Sequence, residues 1–207
     1  MTPMKRAFDI IVAILILIAA APILLSITIL VILFDGAPVL YISERMKTPT
    51  TSFRLVKFRT MRSSSDSLRA TGGYNQSRVT TLGKWLRSSR LDELPQLWNI
   101  LKGDMSFVGP RPPLRRYVEM CDDTYEKVLR NRPGVTGLAS LLYHHHEEWL
   151  LKDTSDPSEA EDIYCRICVP QKAKIDLIYQ RHSSLCFDIT IMFATVLRRL
   201  KPLLHRR

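Results

Sequence analysis

The chain has 207 residues, of which 46% are hydrophobic and 24% are charged. This length allows one domain of ordinary size or a small domain with an anchor, and this composition excludes a wholly disordered or fibrous protein. Thirty lysine and arginine residues against twenty acidic residues give a net charge of +10, which predicts an anionic partner: nucleic acid, acidic lipid or a phosphorylated substrate. The four cysteines are too few for a disulfide scaffold, so we expect free thiols.

An almost continuous apolar run occupies residues 10–34, and it is longer than the ~20 residues that cross a hydrocarbon core. A cleaved signal peptide is the alternative, but the run continues well past the alanines at 19–21. Positive charge flanks the run on both sides, beginning with Lys5 and Arg6, and such residues favour the cytoplasm. Pro22 favours a kink near the centre. Two alternatives stay open: a straight span, or a bent helix that returns to the same side.

Two short runs rich in β-branched and aromatic residues, at 38–42 and 53–61, predict two strands of a small sheet. Period-two alternation places Lys57 and Arg59 on one face of the second strand, as a pair that is either solvated or used to bind an anion. The polar segment 63–78 predicts a loop because it contains two consecutive glycines.

A basic helix carrying Arg87 is predicted after Thr80 and Thr81, which offer an N-cap. A second helix follows, because apolar residues from 94 to 101 recur at helical spacing and Gly103 suits a helix end. This assignment places an adjacent acidic pair, Asp92 and Glu93, at the N-terminus of the second helix.

The acidic pair has a chemical interpretation. A helix start favours negative charge and keeps a carboxylate ionised, so Asp92 could act as a nucleophile. Adjacent carboxylates repel each other, which suggests that Glu93 binds a hard cation such as Mg²⁺. The alternative is a simple helix cap with a first-turn acid. Downstream, the proline-rich loop 108–113 fixes Arg111, whose planar guanidinium suits a diphosphate.

The motifs occur in an order that resembles a known family, the monotopic phosphoglycosyl transferases of bacteria, also called the bacterial sugar transferases. The blocks that carry the resemblance are Lys5-Arg6-x-Phe8-Asp9, Pro22, Gly36-x-Pro38-Val39, Arg45, Lys57-Phe58-Arg59-Thr60-Met61, Leu91-Asp92-Glu93-Leu94-Pro95-Gln96, Lys102-Gly103-Asp104-Met105-Ser106, Val108-Gly109-Pro110-Arg111-Pro112 and Arg132-Pro133-Gly134-Val135-Thr136-Gly137-Leu138. They cover nearly the whole chain.

The resemblance implies a reaction. Family members transfer a sugar 1-phosphate from a UDP-sugar donor to a polyprenyl phosphate acceptor such as undecaprenyl phosphate, and UMP leaves. It implies that Asp92 is the nucleophile of a covalent aspartyl intermediate and that Glu93 helps to hold Mg²⁺. The charges agree with this reaction: Lys57, Arg59, Arg87 and Arg111 come from separate segments that flank the acidic pair, so we predict that they converge on one polyanionic substrate. Further substrate-binding candidates are Arg132 and, from a helix that aligns loosely with the family, Asp176.

The resemblance also implies an architecture. We expect a mixed α/β fold, mainly helical with a small β element, one N-terminal re-entrant membrane helix and amphipathic interfacial helices. Residues 1–36 would form the membrane anchor, with Lys5, Arg6 and Pro22 as its membrane-related residues, and residues 37–207 the catalytic domain. The implied location is the cytoplasmic face of the bacterial inner membrane, with membrane lipids as partners and no nucleic acid. Sugar identity and oligomeric state, including a homodimer, stay open.

Three further features have two interpretations each. His144, His145 and His146 are expected to form a solvated or interfacial patch, because consecutive helical residues cannot all bind one ion. Cys165 and Cys168 lack the second pair that a structural zinc site needs. Residues 187–204 combine apolar and basic positions, as in an interfacial helix on anionic lipid or an ordinary packed helix.

Two functional alternatives accompany the covalent transferase. A membrane-tethered basic module would explain the net charge and the anchor, but not the acidic pair beside Arg111. A transferase could also use the pair to bind metal and transfer directly, without a covalent intermediate. Ping-pong kinetics would support the covalent mechanism, whereas obligatory ternary-complex kinetics would support direct transfer.

Overall fold

The structure is a computed structural model that describes residues 2–62, 78–152 and 157–204, with the side chains of 157 and 199–204 left out. Of the predicted loop at 63–78, only Arg78 lies within these ranges. The elements in chain order are α1 (Pro3–Asp35), β1 (Leu40–Met46), β2 (Ser52–Phe58), α2 (Thr81–Ser89), a 3-10 turn (Leu91–Glu93), α3 (Gln96–Lys102), β3 (Ser106–Val108), α4 (Arg115–Met120), α5 (Asp122–Val128), β4 (Gly134–Thr136), α6 (Leu138–Leu151), α7 (Pro157–Ile163), a π-helical turn (Tyr164–Cys168), α8 (Val169–His182) and α9 (Leu185–Leu204). This confirms the expected fold, mainly helical with small β elements.

Helix α1 contains the whole apolar run and is long and apolar enough to cross a membrane. It begins at Thr2, whose hydroxyl accepts from the backbone N–H of Lys5 at 3.3 Å. It ends at Gly36, which adopts the positive φ of 75° that favours glycine. Pro22 has no backbone N–H to donate, but one helix, Pro3–Asp35, continues on both sides of it, so the proline does not divide the apolar run into two separate helices.

The predicted strand pair is an antiparallel hairpin, β1 with β2, whose register runs from Leu40 opposite Phe58 to Met46 opposite Ser52. Phe53 and Leu55 are buried on one face of the hairpin, in a cluster with Leu97 and Ile100 of α3. Phe58, at the end of β2, is buried in a separate cluster with Ile27 and Val31 of α1. The strand bounds differ from the predicted ones, and β2 ends before Arg59.

The acidic pair lies just before a helix and not at its first turn, which corrects the sequence-based placement. Arg90 adopts a left-handed conformation with φ of 59°, which ends α2 and starts the 3-10 turn that contains Asp92 and Glu93. Helix α3 begins only at Gln96, with no side chain capping it. Asp92 is therefore not a helix cap. The other two local predictions, the Thr80 cap of α2 and the Gly103 end of α3, are confirmed.

Asn99 ties α3 to the hairpin. Its amide oxygen accepts from the backbone N–H of Val56 at 3.1 Å, its amide nitrogen donates to the carbonyl of Arg54 at 2.7 Å, and the residue is 1% exposed. We expect Asn99→Ala to lower the free energy of unfolding by about 2–4 kcal/mol, because buried backbone groups of β2 lose their partners.

Denaturant unfolding in detergent, followed by circular dichroism, measures this effect. Gln171→Ala is the matched control, since Gln171 is exposed on α8. Equal unfolding midpoints for the two variants would contradict the bridging role of Asn99.

The second pair of strands was not predicted. β3 and β4 are parallel, with Ser106 opposite Gly134 and Val108 opposite Thr136. A side chain at Gly109 would place its Cβ 2.2 Å from the carbonyl oxygen of Arg132. Only glycine allows this close approach, so the chain can run directly from β3 into the proline-rich loop that carries Arg111.

Candidate active site

A pocket of about 580 Å³ lies where the hairpin, the 3-10 turn, the proline-rich loop, α6 and α8 meet. Six of the sequence-predicted site residues line it: Lys57, Arg87, Asp92, Glu93, Arg111 and Asp176. The tertiary structure therefore brings together groups from five separate segments of the chain. The predicted convergence of cations on the acidic pair is what the pocket contains.

Asp92 lines the pocket and is 5% exposed. Its Oδ1 atom is buried and has no hydrogen-bond partner among the described residues. Burial, together with the negative charge of Glu93, raises the pKa of the Asp92 carboxyl, while Lys57 and the neighbouring arginines oppose the rise. An unpartnered buried carboxylate oxygen is poorly solvated, which leaves it available for a cation or for attack on an electrophile.

Glu93 is held by two arginines. Its Oε1 atom accepts from Arg90 at 2.8 Å and from Arg111 at 3.4 Å, and its side chain is 12% exposed. Burial alone would raise the pKa of Glu93, but the positive charges of Arg111 and Arg90 outweigh it and hold the pKa below its usual value. Glu93 is therefore stabilised as a carboxylate by Arg111 and Arg90, and these cations, not a helix start, provide the favourable positive charge.

Lys57 and Arg87 complete the basic side of the pocket. Burial and the positive charges of Arg87 and Arg111 lower the pKa of Lys57 to about 8. The Nε atom of Arg87 donates to the hydroxyl of Thr60 at 2.9 Å, which fixes the direction of the guanidinium. This concentration of positive charge in a partly buried site favours a polyanion such as a diphosphate.

Helices α6 and α8 contribute acidic side chains to the pocket lining. Glu147 of α6 pairs with Lys172 of α8 at 3.0 Å, and Lys172 also donates to the hydroxyl of Tyr164 at 3.3 Å. Asp176 lies one turn beyond Lys172, and burial raises the pKa of its carboxyl to about 7. Asp176, the candidate from the loosely aligned helix, therefore lies in the pocket.

Two predicted substrate-binding residues lie elsewhere. Arg59 donates to the backbone carbonyls of Asp35, Gly36 and Ala37 at 2.5, 2.6 and 2.9 Å, so its guanidinium closes the end of α1 and does not share the pocket with Lys57. Arg132 lies near Arg6 and Asp104, outside the residues that line the pocket.

Several pocket residues were not identified as site residues from the sequence: Arg45, Arg90, His144, Glu147 and Lys172. Arg90 could have been found, because it directly precedes the block that contains the acidic pair. Burial and the charge of Arg111 lower the pKa of Arg45 to about 10, which places it with the other cations. Glu147 and Lys172 are 25 residues apart, and no local pattern predicts that they meet.

The histidine and cysteine motifs contain no metal centre within the parts of the chain that are described, where no three His, Cys, Asp or Glu side chains gather around one point. His144 lines the pocket, whereas His145 and His146 are exposed on α6. All four cysteines are free, and burial raises the pKa of Cys165 to about 12. A thiol of that kind is unreactive at neutral pH.

The carboxylates of Asp92 and Glu93 fit a hard divalent cation. Mg²⁺ prefers oxygen ligands and is commonly held by one or two carboxylates, with water and substrate phosphates completing its shell. The unpartnered Oδ1 of Asp92 is an oxygen of this kind, and both arginines contact the same oxygen of Glu93, Oε1. The donor set therefore suits Mg²⁺ bound together with a phosphorylated ligand.

Residues 1–202 match the family described as Bacterial sugar transferase. The chain belongs to this family. The match spans nearly every block on which the sequence resemblance rests, and it makes the chain a transferase by family. The acidic pair, the surrounding cations and the apolar helix all lie within the residues that match the family.

Curated relatives carry more specific names. The chain is 35% identical to the exopolysaccharide production protein ExoY of Sinorhizobium fredii, over 93% of this chain and 83% of that protein. It is 35% identical to the UDP-glucose:undecaprenyl-phosphate glucose-1-phosphate transferase of Escherichia coli, over 94% of this chain and 40% of that protein. It is 32% identical to the UDP-N-acetylgalactosamine-undecaprenyl-phosphate N-acetylgalactosaminephosphotransferase of Aeromonas hydrophila, over 93% and 42%. The chain therefore spans less than half of the two longer relatives.

Proposed function

We propose that the protein transfers a sugar 1-phosphate from a UDP-sugar to undecaprenyl phosphate and releases UMP. The observation that carries the proposal is a buried carboxylate, Asp92, next to an ionised Glu93 and surrounded by Lys57, Arg87 and Arg111. The names of relatives that act on glucose and N-acetylgalactosamine donors support the reaction class. Because those names differ in the sugar, they do not select one for this chain.

Asp92 is the nucleophile in this proposal. Its carboxylate oxygen attacks the phosphorus that bears the sugar, a bond forms between this oxygen and the phosphorus, and the bridging P–O bond breaks. UMP leaves with the electron pair of that bond. An oxygen of undecaprenyl phosphate then attacks the same phosphorus and displaces the carboxylate, which regenerates Asp92 and gives the lipid-linked sugar diphosphate.

The cations stabilise charge during both steps. Arg111 stands in a loop stiffened by Pro110 and Pro112 and is fixed on Glu93, so it can hold diphosphate oxygens with little loss of conformational entropy. Lys57 and Arg87 lie on the same side of the pocket. Glu93, with Asp92, would hold Mg²⁺, and the bound ion supplies further neutralisation of the phosphate oxygens.

The membrane arrangement is part of the proposal. Residues in both halves of α1 pack on the same body: Ala13 is buried in a cluster with residues of α3 and β3, and Ile27 and Val31 are buried against Phe58 and Leu86. Large side chains between these two contacts, including Leu15 and Ile18, are more than 60% exposed. This geometry supports a re-entrant helix whose ends lie on the cytoplasmic side of the inner membrane, with the outer apolar face in lipid.

The C-terminal helix α9 supports the same membrane surface. Ile189, Phe193, Val196 and Leu197 are exposed along one stripe, whereas Asp188 and Ile191 are buried. Such a helix can lie in the interface with its apolar stripe in lipid. An N-terminal epitope tag is therefore expected to be accessible in inverted vesicles and protected in spheroplasts, as is the domain at 37–207. A tag accessible from outside the cell would contradict the re-entrant course.

UMP release tests the proposed reaction. The purified protein in nanodiscs is supplied with undecaprenyl phosphate, Mg²⁺ and a panel of UDP-sugars, and UMP is measured. We expect release with one or a few donors, and its loss when a chelator removes the divalent cation. Absence of release from every donor, with a folded and membrane-bound protein, would argue for the non-catalytic basic module.

The low pKa of Lys57 predicts a pH dependence. Its ammonium is present below about pH 8 and is lost above it, so the attraction for the donor diphosphate weakens as the pH rises. We expect kcat/KM for the UDP-sugar to fall through about pH 8, because this ratio reports ionisations of the free enzyme. In Lys57→Arg the fall moves to higher pH, because arginine stays charged.

A pH–rate profile measures this difference. Lys84→Arg is the control, since Lys84 is exposed on α2 and the substitution leaves the pocket unchanged. The same basic limb in wild type and in Lys57→Arg would assign the ionisation to another group.

A further inference from the structure

The first turns of α1 carry charged side chains into the protein interior. The ammonium group of Lys5 donates to the carbonyl of Val108 at 3.2 Å and to the hydroxyl of Tyr179 at 3.2 Å, and it is paired with the carboxylate of Asp188. The side chains of Lys5 and Asp188 are 15% and 3% exposed. An ammonium has three N–H donors, and all three have partners inside the protein.

Tyr179 completes this group. Its hydroxyl has one proton, which the carboxylate of Asp188 accepts at 2.5 Å, so its oxygen is free to accept from Lys5. The side chain is 2% exposed. Lys5 of α1, Tyr179 of α8 and Asp188 of α9 thus form one hydrogen-bonded group, in which Lys5 donates to the backbone carbonyl of Val108. We call these three side chains the α1 clamp.

Val108 directly precedes the loop that carries Arg111. The loop is fixed at its start by two backbone bonds, Gly109 N–H to the carbonyl of Thr136 and Gly134 N–H to the carbonyl of Pro110, both 2.9 Å. Beyond Pro110 the guanidinium of Arg111 reaches Glu93. The clamp therefore holds the chain three residues before a cation of the pocket, in a loop with little freedom to compensate for a shift.

Arg6 binds the chain at the end of α3, just before the segment that leads through β3 to Val108. Its guanidinium donates to the carbonyls of Ile100 and Leu101 at 2.6 and 2.8 Å, at the end of α3, where the carbonyl of Ile100 also accepts from the Gly103 N–H at 3.0 Å. The two basic residues of the anchor thus bind the chain on both sides of Gly103. This placement differs from the expected one, in which both serve as charges at the membrane surface.

We infer that Lys5 is a positioning residue of the active site, which acts through Val108 to fix the loop that carries Arg111. The inference rests on the proposed function and adds to it a role for the membrane anchor in catalysis. A charge that only orients the anchor could be moved by one residue without loss. A clamp requires the ammonium at one point, because three partners converge on it.

A charge-restoring pair of substitutions separates the two roles. Met4 is 69% exposed, so Met4→Lys combined with Lys5→Met keeps the charge of the anchor and empties the clamp. We expect Lys5→Met and this double variant to lose about 10- to 100-fold in kcat/KM, as for misplaced catalytic groups, with equal amounts of protein in the membrane fraction. Recovery of wild-type activity by the double variant would overturn the inference.

A double-mutant cycle with Arg111→Ala tests the connection to that residue. If Lys5 acts through Arg111, Lys5→Met should lower kcat/KM by less than about 3-fold in the Arg111→Ala background, because coupled residues are not additive. A general loss of folded protein would give equal losses in both backgrounds. Equal losses would therefore overturn the positioning role.

Hydrogen exchange tests the clamp without any assay of activity. We expect the Gly109 amide to exchange at least about 5-fold faster in Lys5→Met than in wild type, with unchanged exchange in β2, because only the local opening becomes easier. Tyr179→Phe keeps the ring, serves if Lys5→Met does not fold, and should show the same change. Unchanged exchange at Gly109 would overturn the clamp, whereas faster exchange in a protein that releases no UMP would reject only the proposed function.

Discussion

Asp92→Asn is expected to abolish UMP release, with a loss of at least about 1,000-fold in kcat, as for removal of a covalent nucleophile. Asparagine has nearly the same volume as aspartate, so the buried 3-10 turn keeps its packing. Its amide oxygen is a poor nucleophile and carries no negative charge. The loss should therefore arise from chemistry and not from unfolding, which a melting curve in the same detergent checks.

The matched control is Asp123→Asn, because Asp123 is exposed on α5 and should keep wild-type activity. A reaction without acceptor lipid gives a second readout. Wild type should release UMP up to about one equivalent and form a phosphosugar adduct detectable by intact mass, as a covalent mechanism requires. Direct transfer, the alternative mechanism, would release none without undecaprenyl phosphate, and it would be supported if Asp92→Asn retained activity.

Glu93→Gln is expected to have the second largest effect, a fall of about 100-fold in kcat/KM with a higher Mg²⁺ concentration at half-maximal rate. The substitution keeps the shape of the side chain but removes the charge to which Arg90 and Arg111 are bound. Two guanidinium groups then face each other without the carboxylate between them. The substitution should therefore weaken Mg²⁺ binding and also release Arg111 from its position on Glu93.

Titration of Mg²⁺ against the initial rate measures this effect, beside Glu126→Gln on the exposed face of α5 as the control. A Glu93→Gln variant with reduced rate but unchanged Mg²⁺ dependence would assign Glu93 to holding Arg111 alone. An unaltered rate would remove Glu93 from the site.

Some features could be predicted because their causes are local. The apolar run by itself determines α1, since its length and composition need no partner to form a helix. Thr80 and Gly103 mark helix ends because a cap hydroxyl and a left-handed backbone act within one turn. The blocks around Asp92 and Arg111 identified the family, and with it the reactive pair.

Only the tertiary structure decided which charges share the pocket. Lys57 and Arg59 alternate correctly for one strand face, yet β2 ends between them, and the carbonyls at the end of α1 bind Arg59 instead. The ion pair between Glu147 and Lys172 depends on the packing of α6 on α8, which no local sequence pattern predicts.

The sequence by itself thus determined α1, α2, α3, the first strand pair, the family and the acidic pair, through short-range backbone preferences and motif order. The tertiary structure decided the roles of Lys5 and Arg6, whose charges alone indicate a membrane surface. Each donates to a backbone carbonyl about a hundred residues away, at separations of 103 and 94, and Lys5 also binds the side chains of Tyr179 and Asp188. A backbone carbonyl has no side-chain identity, so the sequence cannot mark which one a lysine or arginine will bind; folding decides it, through the need of buried polar groups for partners.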